Sequence, residues 1–220
     1  LPPIAVGDVE EIWHALRPPY EDLFAWAEGR AERPNTDAPG RFRPVMLATA
    51  LDEDLDLPRL DPADFAAEWK WDGIRVQAVR EGEQTRLYSR TGDEISSAFP
   101  DVVAALAFQG AIDGELLVIR NGVVAPFGDL QQRLNRKTAS AQLMQDHPAA
   151  ILAYDLLAED GEDLRGLPFT ERRARLERLV ARHEADRLGL SPLLAHRTWT
   201  DLTLLRADPP AQILILLPEI

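Results

Sequence analysis

The sequence predicts an α+β fold with an antiparallel sheet and flanking helices, preceded by a short helical segment. Apolar or alternating runs are separated by the turn pairs Asp72-Gly73, Glu81-Gly82 and Asn121-Gly122, which are typical of strands joined by hairpins. Helical patterns lie between these strands. In the strongest pattern, which runs from Thr170 to about Arg182, apolar residues recur along one face of the helix. With 220 residues, 45% hydrophobic and 28% charged, the chain is long enough to bury a core.

The first part of the chain, to about Gly29, is predicted to be helical. Asp8 is a suitable N-cap for a helix at 9–16, and a second helix is predicted at 20–28. Residues 30–44 are rich in Pro, Gly, Asn and Arg, so they are predicted to form a linker.

From Phe65 onward, strands and helices are predicted in turn, after an acidic stretch at 52–64 that is expected on the surface. Strands are predicted at 68–71, 74–79, 86–88, 111–119, 123–124 and 150–157. Helices are predicted at 100–107, 127–134, 140–146 and 170–182. Because most neighbouring strands are separated by tight turns, an antiparallel sheet is expected.

Composition and charge exclude several classes of function. The chain has 24 basic and 37 acidic residues, a formal net charge of −13, which argues against sequence-blind binding to a polyanion by this chain alone. The absence of cysteine excludes disulfides, thiolate metal sites and cysteine nucleophiles, and it fits a reducing cytosolic compartment. No apolar run approaches the roughly 20 residues of a membrane span. Walker loops and Ser-His-Asp arrangements are also absent.

The sharpest local feature surrounds one of only two lysines in a chain with 22 arginines. Lys70 lies between Trp69 and Trp71 and is followed by Asp72-Gly73 and Arg75. A lysine amine, with a pKa of about 10.4, is ordinarily protonated and not nucleophilic. Desolvation by the two indoles, or a close cation, favours the neutral form. The alternative is an ordinary lysine at a strand end whose amine reaches past the rings to solvent.

This segment resembles the K-x-D-G-x-R motif of ATP-dependent DNA ligases, a motif shared with RNA ligases and mRNA capping enzymes. Arg43-Pro44-Val45-Met46-Leu47-Ala48 is similar to the P-M-L-A segment at the start of the ligase adenylation domain. Four further segments resemble later motifs in the same order: Ser89-Arg90-Thr91-Gly92 with Phe99-Pro100, Ile112-Asp113-Gly114-Glu115-Leu116, Ala153-Tyr154-Asp155-Leu156-Leu157, and Leu167-Pro168-Phe169 with its Arg-rich helix. The resemblance implies an ATP-grasp-like nucleotidyltransferase domain with twisted antiparallel sheets, from a ligase of the bacterial type.

The resemblance also implies a covalent mechanism. Lys70 is expected to attack the α-phosphate of ATP, expel pyrophosphate and carry AMP as a phosphoramidate. Mg²⁺ is expected to offset charge on the phosphates, with Glu115 as a candidate ligand. Nicked double-stranded DNA, with a 5′-phosphate and a 3′-hydroxyl, is the implied substrate.

Roles for the other motif residues follow from the same resemblance. Glu68 is expected to face the adenine amino group, Tyr154 to stack on the ring, and Arg75 with Glu115 to contact the ribose. Arg90 is expected to bind ribose or phosphate. Asp72, Gly73, Asp113 and Gly114 complete the motifs. The alternatives are that Glu115 is a solvent-facing strand residue, that Tyr154 belongs to the sheet core and that Arg90 is part of a surface ion pair.

Two basic clusters have weaker signals. Arg133, Arg136 and Lys137 are candidate contacts to a nucleic-acid backbone, although cations at a helix end are an equally good explanation. A second cluster is interleaved with Glu171 and Glu177 and predicts a solvated helix face; it comprises Arg172, Arg173, Arg175 and Arg178.

The family pattern continues with an E-G-x-[MVL]-x-K strand and a K-x-K strand, and neither occurs here. We expect residues 1–42, which precede the P-M-L-A segment, to be the end of a helical DNA-binding domain plus linker. Residues 43–220 are expected to be an adenylation domain that is incomplete at its C-terminus, with no OB-fold domain following. A monomer in the bacterial cytosol, without membrane contact, is expected. The alternatives are an RNA ligase, a capping-type nucleotidyltransferase, or a catalytically inactive nucleotide-binding fragment.

Overall fold

The computed structural model describes residues 4–16, 18–36, 39–134, 136, 138–183, 186–207 and 213–218. The helices are α1 (Val6–Ala15), α2 (Glu21–Ala27), α3 (Pro100–Ala105), α4 (Phe127–Leu134), α5 (Ala141–Asp146), α6 (Phe169–His183) and α7 (Trp199–Ala207). The strands are β1 (Phe65–Lys70), β2 (Ile74–Glu81), β3 (Gln84–Ser89), β4 (Gly110–Arg120), β5 (Val123–Val124), β6 (Ala149–Glu159), β7 (Glu162–Asp163), β8 (Leu188–Leu190) and β9 (Ile213–Pro218).

The strands form two sheets. The larger has the order β3-β2-β4-β6-β7, with β5 paired to β4 and β8 paired to β6. All of its pairs are antiparallel except β6 with β8, which is parallel. The smaller sheet pairs β1 with β9 in antiparallel register. The predicted α+β class with antiparallel sheets and flanking helices is confirmed.

One face of the larger sheet carries the main core. Val76 and Leu116 from the central strands are completely buried there together with Phe99, Leu130 and Leu176, which come from the segment before α3, from α4 and from α6. The side chains alternate along each strand, so the opposite face of the sheet is left for other contacts. That opposite face carries the site described below.

The segment at 40–46 crosses this second face. Phe42 is buried against it, the backbone of Arg43 exchanges hydrogen bonds of 2.7 Å with the side-chain amide of Gln77, and Tyr88 donates to the carbonyl of Gly40. The prediction of a linker at 30–44 is therefore wrong for its last residues. They pack against the sheet because removing the apolar side chain of Phe42 from water is favourable.

Three other local predictions need correction. The first helix begins at Val6 rather than at Val9, and its N-cap, Ala5, makes no side-chain hydrogen bond. Asp72-Gly73 does not close a hairpin, since β1 pairs with β9 whereas β2 pairs with β3 and β4. The turn carries the chain from one sheet to the other. Finally, β7, β8, β9 and α7 had no counterpart among the predicted elements.

Candidate active site

Lys70 is the last residue of β1, and its side chain is exposed. Trp69 is buried, and Trp71 is half-buried with its indole nitrogen donating to the hydroxyl of Ser191 at 3.0 Å. The expectation that the two indoles desolvate the amine is therefore wrong. Neighbouring side chains of a strand point to opposite faces, so Trp69 turns away from the face that carries Lys70.

Gly73 brings the turn after Lys70 against β4. A Cβ atom at Gly73 would lie 2.5 Å from the carbonyl oxygen of Leu116 and 2.9 Å from Cγ of Glu115. Only glycine allows this approach, and it lets the amide of Gly73 donate to the Glu115 carboxylate. The turn that follows Lys70 therefore packs closely against Glu115 and Leu116.

Glu115 is a partly buried carboxylate on β4. Burial raises its pKa to about 7, with Asp113 acting in the same direction, while the Gly73 amide and the charges of Arg75 and Lys70 oppose the shift. Glu115 is thus not the freely solvated strand residue of the alternative reading.

Arg75 on β2 and Asp113 on β4 form an ion pair in which the carboxylate is buried. Nε of Arg75 donates to the Asp113 carboxylate at 3.1 Å, and Nη2 donates to the same carboxylate and to the carbonyl of Met46. Asp113 is only 1% exposed, and burial raises its pKa although Arg75 opposes the shift. Tyr154 of β6 donates its hydroxyl to Asp113 at 3.3 Å, and its ring lies 5.9 Å from the Arg75 guanidinium carbon.

Glu68 lies two residues before Lys70 and is buried. Nη1 of Arg173, on α6, donates to its carboxylate at 3.0 Å. Burial raises the pKa of Glu68 to about 8, although Arg173 opposes the shift. Both Arg173 and Arg172 are buried, and Arg172 pairs with Asp155 at 2.8 Å.

The predicted solvated face of α6 is therefore wrong for Arg172 and Arg173 but holds for the exposed Arg178. Sequence analysis also missed Ser191. For the burial of Arg172 and Arg173, the only signal in the sequence was that both residues fall on the helix side that bears Leu176, since residues three or four apart share a face.

Arg133 is not a nucleic-acid contact. Its side chain is 0% exposed, donates to Asp101 at 3.0 Å and to the carbonyl of Ala98 at 2.9 Å, and lies over the ring of Phe99. A buried guanidinium is satisfied internally because desolvating it without partners costs several kcal/mol. Arg136 is exposed, whereas Lys137 lies outside the described residues.

Arg90 lies in the turn after β3 and is exposed. The turn is built by its neighbours: Ser89 and Thr91 hydrogen-bond to each other at 2.9 Å, Thr91 donates to Asp93 at 2.5 Å, and Gly92 has a φ of 83°. The structure brings Arg75, Asp113, Glu115 and Tyr154 together on neighbouring strands, and it packs the turn after Lys70 against Glu115 at Gly73. Arg90 makes no hydrogen bond or ion pair with them among the described residues.

Within the described part of the chain, no three or more His, Asp or Glu side chains are grouped so as to hold a metal ion. A magnesium ion in a nucleotide site takes one or two carboxylates and completes its shell with phosphates and water, so Glu115 alone fits that need. No described helix is long and apolar enough to cross a membrane.

The raised pKa of Glu115 predicts a pH-dependent stability. An acid whose folded pKa exceeds its unfolded value binds more protons when folded, so its contribution to stability is lost as pH rises from about 4.5 to about 7. Replacing Glu115 with glutamine should therefore raise the free energy of unfolding at pH 8 by ~1–3 kcal/mol, and change it little at pH 4.

Urea titrations at the two pH values measure this effect. Glu83→Gln provides the matched control, because the Glu83 side chain is exposed and its replacement should change the free energy of unfolding little. Equal effects of Glu115→Gln at both pH values would contradict the assignment of a raised pKa.

Two sheets flanked by helices, with an exposed lysine at a strand end and a partly buried carboxylate on a central strand, form the arrangement expected of a nucleotidyltransferase domain. Residues 45–203 match the family model described as "ATP dependent DNA ligase domain". The chain belongs to this family.

Curated relatives agree with this assignment. The chain is 34% identical over 171 residues to a "Probable DNA ligase" of Anaeromyxobacter sp. (strain K), covering 75% of this chain and 33% of the relative. It is 45% identical over 117 residues to a "Probable DNA ligase" of Opitutus terrae, covering 51% of this chain and 12% of that protein. The chain therefore spans about a third or less of the length of these relatives.

Solved structures agree on the fold. The ligase domain of M. tuberculosis LigD matches with a TM-score of 0.59 at 24% identity, covering 74% of this chain and 51% of that chain. A mycobacterial DNA ligase D complexed with ATP and MES matches with a TM-score of 0.56 at 25% identity, covering 73% and 50%.

Proposed function

We propose that this chain is the nucleotide-binding part of an ATP-dependent DNA ligase that seals 5′-phosphate/3′-hydroxyl nicks through a covalent lysyl-AMP. The observation that carries the proposal is that the turn directly after Lys70 packs, at Gly73, against Glu115 of β4, next to the hydrogen-bonded group of Arg75, Asp113 and Tyr154. Family membership supports ATP as the nucleotide and DNA as the substrate. We further propose a monomer in which residues 1–42 precede an adenylation domain.

In the proposed reaction, the neutral amine of Lys70 attacks the α-phosphorus of ATP. A P–N bond forms, the bond to the leaving pyrophosphate breaks, and the amine loses a proton. AMP then passes to the 5′-phosphate of the nick, and the 3′-hydroxyl displaces it to join the strands. Because Lys70 is exposed before nucleotide binds, we assign its desolvation to the bound nucleotide rather than to Trp69 and Trp71.

The surrounding residues position the nucleotide. Tyr154 presents a ring fixed by its hydrogen bond to Asp113, which suits stacking on adenine. Arg75 uses Nε and Nη2 on Asp113 and Met46, so Nη1 is the nitrogen that we assign to the ribose, together with Glu115. Arg90, exposed at its turn, is assigned to a phosphate. Mg²⁺, held by Glu115 and the phosphates, would neutralise charge on the phosphates.

A hybrid protein provides the test, with residues after 203 replaced by the corresponding C-terminal part of the Anaeromyxobacter ligase. It should seal nicked DNA with ATP. Sealing of nicked RNA instead would favour an RNA ligase, and labelling by GTP instead of ATP would favour a capping-type enzyme. A folded hybrid that is inactive on every substrate would contradict the proposal.

The chain by itself is expected to react with ATP poorly or not at all. The family lysines that grip the nucleotide phosphates lie in the two strand motifs that this sequence lacks, so pyrophosphate is not activated as a leaving group. Incubation with Mg²⁺ and radiolabelled ATP measures the reaction. Rapid labelling that depends on Lys70 would show this expectation to be wrong.

A further inference from the structure

Segment 40–46 is fastened to β2 by two side chains of that strand. Gln77 and Glu81 are four residues apart on β2, so their side chains leave the same face of the sheet. Gln77 is only 1% exposed; its Oε1 accepts from the amide of Arg43 and its Nε2 donates to the Arg43 carbonyl, both at 2.7 Å. The Glu81 carboxylate accepts from the amide of Gly40 and from Nη2 of Arg43, both at 2.5 Å. The segment is thus held at two points along the strand.

Gln77 does for Arg43 what a neighbouring strand would do. A side-chain amide carries one carbonyl oxygen and one NH₂ group, so it can satisfy both backbone groups of a single residue. Arg43 is only 6% exposed, and without Gln77 its N–H and C=O would lose these partners in a buried place. Because buried backbone groups are nearly always paired, the segment would shift until water reached them.

The same segment ends on a residue of the candidate active site. The carbonyl of Met46 accepts from Nη2 of Arg75 at 2.8 Å, and Asp113 accepts from Nε and Nη2 of the same guanidinium. A carboxylate alone allows the guanidinium plane to tilt about these hydrogen bonds, whereas a second acceptor from another element removes that freedom. Nη1, which carries the two donors that we assign to the ribose, then has a fixed direction.

We infer that Gln77 and Glu81 are positioning residues for nucleotidyl transfer: they lock segment 40–46 along β2, and the locked segment orients the Arg75 guanidinium through the carbonyl of Met46. The inference rests on the proposed function, because it needs a nucleotide whose ribose meets Arg75. It gives a role to two side chains that act on the nucleotide only through Arg75.

The experiment compares two nucleotides in the hybrid protein: ATP and its 2′,3′-dideoxy analogue, which lacks both ribose hydroxyls. Rates of lysyl-nucleotide formation at rising concentration give the half-saturating concentration and the maximal rate for each. The wild type should half-saturate at a concentration at least ~10-fold lower with ATP than with the analogue. Gln77→Met keeps the length of the side chain and removes both hydrogen bonds. It should lower this ratio by ~3- to 10-fold through ATP alone, and change the maximal rate by less than ~2-fold.

Two further proteins show whether Gln77 acts through Arg75. Gln132→Met, the same exchange at an exposed position of α4, should match the wild type. In Arg75→Lys the side chain keeps its charge but loses its planar set of donors, so adding Gln77→Met to it should not change the ratio further. A further fall in that double variant would show that Gln77 acts by another route, and would overturn the inference.

The outcomes separate the two proposals. A folded hybrid that forms no lysyl-AMP contradicts the proposed function. A wild type that reacts equally well with both nucleotides, or a folded Gln77→Met with an unchanged ratio, overturns this inference and leaves the transfer reaction in place. A merely structural role would reduce the folded fraction equally for both nucleotides and would not change the ratio.

If Gln77→Met does not fold, Glu81→Ala decides. Glu81 is only partly buried, and its replacement releases Gly40 and the side chain of Arg43 at the other end of the segment. The ratio between the two nucleotides should fall by ~3-fold, and an unchanged ratio overturns the inference.

Discussion

Replacing Lys70 with arginine in the hybrid protein is expected to abolish nucleotidyl transfer while leaving ATP binding nearly unchanged. The guanidinium keeps the positive charge near Glu115 but stays protonated at every accessible pH, so it offers no lone pair to phosphorus. We expect formation of the phosphoramidate to fall by more than ~1,000-fold. Electrophoresis after incubation with radiolabelled ATP measures the product.

The composition of the chain makes this test unambiguous. Lys137 is the only other lysine, so a lysyl-AMP formed by this part of the hybrid can lie at only two positions. Peptide mapping should place it on Lys70. Arg178→Lys, an exchange of the same two residue types at an exposed position, should leave labelling unchanged. Labelling that persists in Lys70→Arg, or that maps to Lys137, would exclude Lys70 as the nucleophile.

Replacing Asp113 with alanine is expected to be the most destabilising change at the site. It leaves the Arg75 guanidinium without its carboxylate and the Tyr154 hydroxyl without its acceptor, in surroundings where Asp113 is 1% exposed. Removing one partner of a buried ion pair typically costs ~3–5 kcal/mol. We therefore expect the free energy of unfolding, measured by urea titration, to fall by that amount and ATP binding to weaken with it.

Asp163 provides the matched control. It also pairs with an arginine, Arg165, through both carboxylate oxygens, but its side chain is half exposed. Because exposed pairs contribute ~0–1 kcal/mol, Asp163→Ala should change the stability little. If Asp113→Ala and Asp163→Ala had equal effects, the Arg75–Asp113 pair would not be the structural support of the site.

Local sequence predicted the local elements well. The helix predicted at 127–134 coincides with α4, and the Ser140 hydroxyl caps α5 through the amide of Leu143. Asn121-Gly122 forms the predicted turn, with φ values of 53° and 78° that Asn and Gly tolerate better than other residues. In each case the interactions that set the conformation lie within a few residues along the chain.

The partners of the strands and of the arginines were not predictable in this way. The pairing of β1 with β9 joins residues about 150 positions apart, and Arg173 meets Glu68 across a separation of 105 residues. Helix periodicity marks a possible inner side for Arg172 and Arg173, but whether an arginine is buried depends on a carboxylate supplied by another element. Both arginines were therefore expected in solvent.

The sequence by itself determined the class of fold and the family motifs, because short-range turn chemistry and residue type are sufficient for these, and it predicts Lys70 as the nucleophile. Only the tertiary structure decided that Lys70 lies exposed whereas Glu115 is partly buried, that Arg133 belongs to the core, and that Arg173 pairs with a buried Glu68. The physical reason is that desolvation and ion pairing depend on which groups the fold brings together in space, and spacing along one chain does not contain that information.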